Sequence, residues 1–220
     1  MNIEEAYLRY VVNRNATNNN LNVDKQRFVF SFNDHQIKYL EWLLEKRNED
    51  DIRYASSFLT LNRKLNKVDS KEYFDTFKLP KDYFDLSNLT VKCSSGKCSG
   101  QNMQVQEVKS EDIQELLASE NNKPSFLYRD TFYLTNNGVV SVYKDNFSVE
   151  KVELSYYRYP EKVDIEGYTK LDNSQSQNID PEWDDKATLR ILIAMAKSFA
   201  AENSDGNKYQ IEKDRLFTEI

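Results

Sequence analysis

The chain has 220 residues, of which 39% are hydrophobic and 13% aromatic, with a net charge of −6 and only 5 glycines and 4 prolines. That is enough chain for one large domain or two small ones with a real core, and it excludes collagen-like, low-complexity and disulfide-scaffold classes. The negative balance disfavours nucleic-acid binding, and no run of Lys and Arg argues otherwise.

The opening Met1-Asn2-Ile3-Glu4-Glu5-Ala6-Tyr7 is acidic and lacks the basic and apolar regions of a signal peptide. No apolar run approaches the roughly 20 residues of a membrane span. The expectation is a soluble chain made in a cytoplasm, with no membrane partner. The Asn-x-Ser/Thr matches at Asn15, Asn88 and Asn146 are then chance.

Asn2 to Val12 reads as a short helix, because Ile3, Ala6, Tyr7 and Tyr10 share one face. Asn13 to Asn22 reads as a polar loop, its side chains competing with helical hydrogen bonds. Asp24 to Arg47 reads as a long amphipathic helix carrying Phe28, Phe32, Tyr39, Leu40, Leu43 and Leu44 on one side. Asn33-Asp34 lowers helix propensity midway and predicts a bend. Lys46 and Arg47 suit the negative end of its dipole.

From Phe58 onward, β-branched and aromatic residues recur in short runs. Leu89–Cys93 and Met103–Val108 read as a hairpin or near-hairpin around Ser94-Ser95-Gly96-Lys97. Ser110 to Ser119 reads as a short helix, with Ser110 as N-cap and Ile113, Leu116 and Leu117 inward. Phe126–Tyr128, Thr131–Thr135 and Val139–Tyr143 read as strands, the last two joined by an Asn136-Asn137-Gly138 turn. Val149–Tyr159 is the longest strand, ended by Pro160. Asp180 is the expected N-cap of a final helix, with Pro181 in its first turn and Trp183, Ala187, Ile191, Met195 and Phe199 recurring every fourth residue. Ser204-Asp205-Gly206 ends it.

The pattern predicts an α+β fold in one domain, residues 1–220. A helical part, 1–57 plus 180–203, is packed with a β-rich insertion at about 58–160. Residues 204–220 form a C-terminal docking arm. That arm and the Asn13–Asn22 loop are the segments expected to order on assembly.

Candidate chemistry is sparse. Cys93 and Cys98 supply only two ligands, at a wider spacing than zinc half-sites use, so free thiols or an incidental disulfide explain them better, with a metal shared between subunits as the alternative. His35 is the only histidine, and its neighbour Asp34 points to another side of the helix. No Gly-x-Ser-x-Gly elbow or phosphate-binding glycine loop accompanies it. Glu49-Asp50-Asp51 and Asp184-Asp185 offer oxygen ligands for a divalent cation, but helix-end charges account for both. Tyr156, Tyr157 and Tyr159 suit sheet packing or a subunit interface better than base stacking on an acidic chain. No catalytic, cofactor-binding or metal-binding residue is assigned, and the expected class is not an enzyme.

Several segments, taken in order, carry a family signal. Glu4-Glu5-Ala6-Tyr7, Val23-Asp24-Lys25-x-Arg27-Phe28-Val29 and Phe32-Asn33-Asp34-x-Gln36 open it. Tyr39-Leu40-Glu41-Trp42 and Glu45 to Arg53 follow. Tyr157-Arg158-Tyr159-Pro160-x-x-Val163-Asp164-Ile165-Glu166-Gly167-Tyr168 and Asp180-Pro181-Glu182-Trp183-Asp184-Asp185 complete it. Together they resemble virion structural proteins of crAss-like bacteriophages, over about half of the chain; residues 58–143 carry no such likeness. The resemblance implies a head-to-tail connector subunit in the neck of a short-tailed phage, assembled in the host cytoplasm. Its implied partners are further copies of itself in a ring of about twelve, the portal, neighbouring ring or tail proteins, and passing double-stranded DNA without sequence-specific contact. A tail hub, a head-decoration protein or an ejected cargo protein are alternative virion roles. A metal-dependent nuclease using Asp50 and Asp51 is a remote enzymatic one.

Overall fold

The computed structural model describes residues 1–15, 24–46 and 49–202, and the fold is α+β. The chain divides into two units, Met1–Ser57 with Pro160–Ile220, and Phe58–Tyr159. The docking arm 204–220 and most of the Asn13–Asn22 loop lie outside the described residues.

The first unit is helical. Helix α1 (Ile3–Asn15) runs past the Val12 end that the sequence predicts. Helix α2 (Lys25–Lys46) is continuous through Asn33-Asp34 and buries Phe28, Phe32, Leu40 and Leu43 completely. Asp24 caps it, its Oδ1 accepting from the Arg27 N–H at 2.6 Å. A separate helix, α3 (Glu49–Ala55), follows where no element is expected. Phe28 is the aromatic hub, with Tyr7, Tyr10 and Phe32 rings at 5.3, 5.6 and 5.9 Å.

The last helix corrects the expected cap. Helix α5 (Asp185–Glu202) begins after Pro181 and is capped by Asp184, whose Oδ1 accepts from the Ala187 N–H at 2.7 Å. Asp180 instead serves α1, accepting from the Ile3 N–H at 2.8 Å. Both carboxylates satisfy orphan donors at positive helix ends, but on different helices. Trp183, ahead of α5, is buried with Ala187, Ile191 and Met195, so the fourfold spacing does mark the inner face.

The second unit is a curled eight-stranded sheet. Strands β1 (Leu59–Lys64), β2 (Asn66–Ser70) and β3 (Phe74–Lys78) form in a stretch given no separate strands by sequence. Strands β4 (Tyr83–Ser95), β5 (Cys98–Glu107), β6 (Asp130–Asn136), β7 (Val139–Tyr143) and β8 (Ser148–Arg158) complete it. The order is β1-β8-β4-β5-β6-β7-β3-β2. The two outermost strands, β1 and β2, are thus halves of one bent segment, separated only by Leu65. The Leu65 N–H donates to the Val152 carbonyl at 2.9 Å, so the sheet wraps back onto β8. Such wrapping removes most of the open edge that would template aggregation. The enclosed core includes Leu65, Phe77, Val91, Cys93, Val142, Val152, Leu154 and Tyr156.

Register follows alternation. Val152, Leu154 and Tyr156 of β8 point into that core. The β6–β7 turn has Asn137 and Gly138 at φ 46° and 76°, as a type I′ hairpin requires. β5 pairs antiparallel with β4 and then parallel with β6, so a crossover of residues 108–129 must join β5 to β6. That crossover holds helix α4 (Ile113–Ala118), which has Asp112 rather than Ser110 at its N-cap position and buries none of its residues. Residues 126–128 correct the strand reading. The Ser125 and Asp130 backbones exchange hydrogen bonds at 2.8 and 3.1 Å, closing 126–129 into a turn.

Candidate functional site

Residues of α1, α2 and the 160–185 stretch meet within the helical unit, whereas Tyr157, Arg158 and Tyr159 belong to the sheet unit. Asn33 of α2 clasps the chain at Val163, donating from Nδ2 to the carbonyl at 3.0 Å and accepting from the N–H at 2.9 Å. Gln36, one turn on and 1% exposed, donates from Nε2 to Asn33 Oδ1 at 2.9 Å and to the Glu161 carbonyl at 3.1 Å. Its Oε1 accepts from the Trp183 indole N–H at 3.2 Å. Tyr39 packs edge-on against Trp183 at 5.2 Å and accepts a hydrogen bond from Arg190 at 3.2 Å. These motif residues therefore fix α2 against the 161–165 segment and the approach to α5. They hold a shape, and none presents a free reactive group to a cavity.

Asp164 is a second node. Burial raises its carboxyl, but hydrogen bonds from Lys170, Tyr168 and the Gln177 and Ile165 N–H groups outweigh this and hold it below the ordinary value. In the sheet unit, Asp75 is equally buried and accepts from Lys144 at 2.5 Å, Lys67 at 2.6 Å and Ser70 at 2.6 Å. Burial pushes its carboxyl up, and the two lysines and the serine pull it to a net value below normal. Both carboxylates are consumed by intramolecular pairing.

The only histidine has a partner that sequence reading misses. His35 Nδ1 lies 2.8 Å from the Ser31 carbonyl and Nε2 lies 2.9 Å from Ser198 Oγ. A carbonyl only accepts, so Nδ1 carries the proton and a neutral ring accepts from the serine at Nε2. The group orienting the ring is a backbone carbonyl, not a carboxylate, because Asp34 pairs with Lys38 at 2.6 Å. Ser198 lies inside α5, where backbone N–H groups are used by the helix itself. The pair lines a cavity of about 450 Å³ with Arg27 and Lys38 and ties α2 to α5.

The remaining sequence candidates lie in different elements. Cys93 is buried and Cys98 exposed, and both are free thiols. Burial, then the charges of Glu150 and Asp75, pushes the Cys93 thiol up to about 12. Asp50 and Asp51 lie in α3, whereas Asp184 and Asp185 start α5. Among the described residues, no three His, Cys, Asp or Glu side chains form a metal-binding group. No helix there is long and apolar enough to cross a membrane. Tyr156 is fully buried, its hydroxyl meeting Arg63 at 2.7 Å and Asp82 at 3.1 Å. Tyr159 packs edge-on against Phe84 at 4.8 Å. These aromatics pack within the sheet unit.

What both units do present is exposed apolar surface. On the helical unit, Leu8 and Val12 lie one turn apart on α1, and Phe30 projects from α2. Phe30 borders a groove of about 440 Å³ that also takes in Val29, Val163, Ile179 and Leu171. On the sheet unit, Leu127 and Tyr128 stand at the tip of the 125–130 turn, 82% and 75% exposed. The same turn borders a polar cleft of about 950 Å³ against β5 and α4.

No protein-family model and no curated protein matches this chain.

Proposed function

We propose that this chain is a structural subunit of a phage virion, a ring-forming head-to-tail connector that extends the portal DNA channel and supports tail attachment. The observation that carries the reading is the ordered set of segments resembling crAss-like phage virion proteins. Its key residues, Asn33, Gln36, Val163 and Trp183, act together as one hydrogen-bonded framework. A framework whose shape is the product suits assembly, in which function lies in surfaces and not in a reacting group. The exposed apolar residues support the same reading, because they occur on each unit. A cyclic ring is built from heterologous contacts, in which one face of a subunit meets a different face of the next. An acidic subunit also suits a conduit through which DNA passes without sticking.

Imaging of intact virions, with the chain located by a fused tag, tests the proposal. Density for the chain in a ring below the portal, in a copy number that is a multiple of six, is the expected result. Location on the capsid surface, or loss of the chain from particles after DNA release, would replace the connector by a decoration or cargo protein.

A further inference from the structure

We propose that the Ser125–Asp130 turn of one copy docks Leu127 and Tyr128 into the groove between α2 and the 168–176 segment of a second copy. This rests on the ring reading and names the contact that would build it.

The turn is built to display these two side chains. Its base is closed by the reciprocal Ser125 and Asp130 backbone bonds. The Tyr128 N–H donates to Ser125 Oγ at 3.3 Å, and the Arg129 carbonyl accepts from the Gln104 N–H at 2.6 Å. Phe126 turns inward and packs on Phe147 at 6.2 Å. Leu127 and Tyr128 are therefore held outward on a fixed backbone, which lowers the ordering cost of binding. An exposed tyrosine on such a support is a typical anchor at a protein interface.

The groove has the complementary character. Val163 and Val29 are buried at its floor, with Ile179 beside them, while Phe30 and Leu171 stand 59% and 87% exposed at its sides. Leu171 is held up by a tight turn in which the Lys170 N–H donates to the Ser174 carbonyl at 2.9 Å. Leaving four large apolar side chains in water on one molecule is costly, and mutual burial relieves both sets at once. Charge agrees with this occupant. The turn ends in Arg129 and Asp130, both exposed, and the groove rim carries exposed Asp172 and Lys162, giving two opposite pairs. The turn and the groove are different surfaces, so the contact is heterologous and repeats around a ring or along a filament.

The test uses the full chain with a photoreactive phenylalanine analogue replacing Tyr128, mixed in light and heavy isotope forms so that products between copies are recognised by mass. Crosslinks between copies to residues 26–33 or 162–172 are expected. They should be lost in Leu171→Ser, and self-association of Leu127→Ser/Tyr128→Ser should weaken about tenfold or more. Arg129→Asp should weaken association, and Asp172→Arg added to it should restore it. All these positions are exposed; because Asp172 Oδ1 also accepts from the Ser174 N–H and hydroxyl at 3.0 and 2.6 Å, Asp172→Arg alone is measured alongside, and its circular dichroism must match the parent. Crosslinks elsewhere, within one chain only, or none at about 1 mM protein, where a millimolar contact is half occupied, overturn the docking. Assemblies that persist in Leu127→Ser/Tyr128→Ser overturn the docking and leave the ring reading standing. Virions carrying the chain in a copy number unrelated to six overturn the ring reading itself.

Discussion

Gln36→Met probes the framework of the helical unit with little change of shape, since both side chains are unbranched and of similar length. It removes one acceptor and two donations. The Trp183 indole N–H, on a residue 4% exposed, loses its acceptor. A buried donor left unsatisfied costs about 1–3 kcal/mol. Asn33 Oδ1 keeps the Val163 N–H, and Glu161 is exposed, so its carbonyl can turn to water. Those two losses add about 1 kcal/mol, offset in part by burying a more apolar side chain. The net expectation is about 2 kcal/mol, or a fall in Tm of about 4–8 °C for a chain of this size. Circular dichroism at a helix-sensitive wavelength follows the transition. The double variant Gln36→Met/Trp183→Phe removes the orphaned donor together with its acceptor. It should be less destabilised than the sum of the singles by about 1 kcal/mol. A Gln36→Met Tm within a degree of the parent, or strictly additive singles, would refute the reasoning.

Two further outcomes follow from the sheet unit. Asp75→Asn leaves Lys144 and Lys67 facing each other without their carboxylate and should cost about 3 kcal/mol, at the low end for a broken buried pair because Lys67 reaches solvent. The folded carboxyl lies below its unfolded value, so its contribution is complete above the unfolded pKa of about 3.9 and is lost as pH falls through the folded one. Denaturant titrations of parent and variant should therefore differ by a constant amount from pH 7 to 5 and converge below about pH 4; a gap that widens in acid contradicts the assignment. With a thiol reagent at pH 8, Cys98 should react in the native chain and Cys93 only after denaturation, since Cys93 is buried with its thiol raised to about 12. Equal native reaction of both thiols would show that the core around Cys93 opens.

The long helices α2 and α5 and the strands β7 and β8 are legible in the sequence because their causes are local. Phe28, Phe32, Leu40 and Leu43 repeat at helical spacing, Val152, Leu154 and Tyr156 alternate, and Asn137-Gly138 supplies the positive φ that its turn needs. The docking surface is not legible this way. Phe126-Leu127-Tyr128 has the composition of a strand, and only the pairing of Ser125 with Asp130 turns Phe126 inward and leaves the next two residues in water.

Asp180 shows the same limit from the other side. Its sequence context, before Pro181 and an amphipathic run, has the marks of a cap for its own helix, yet it caps α1, 177 residues away. His35 with Ser198, Asp75 with Lys144, and the bent β1–β2 segment closing on β8 are likewise contacts between distant residues. Periodicity, propensity and turn chemistry act over a few residues, so the sequence alone determines which segments are helix or strand and which faces are apolar. Which partner satisfies each carboxylate, ring nitrogen and strand edge is chosen by whichever distant group packing brings within hydrogen-bond reach, and only the tertiary structure decides that.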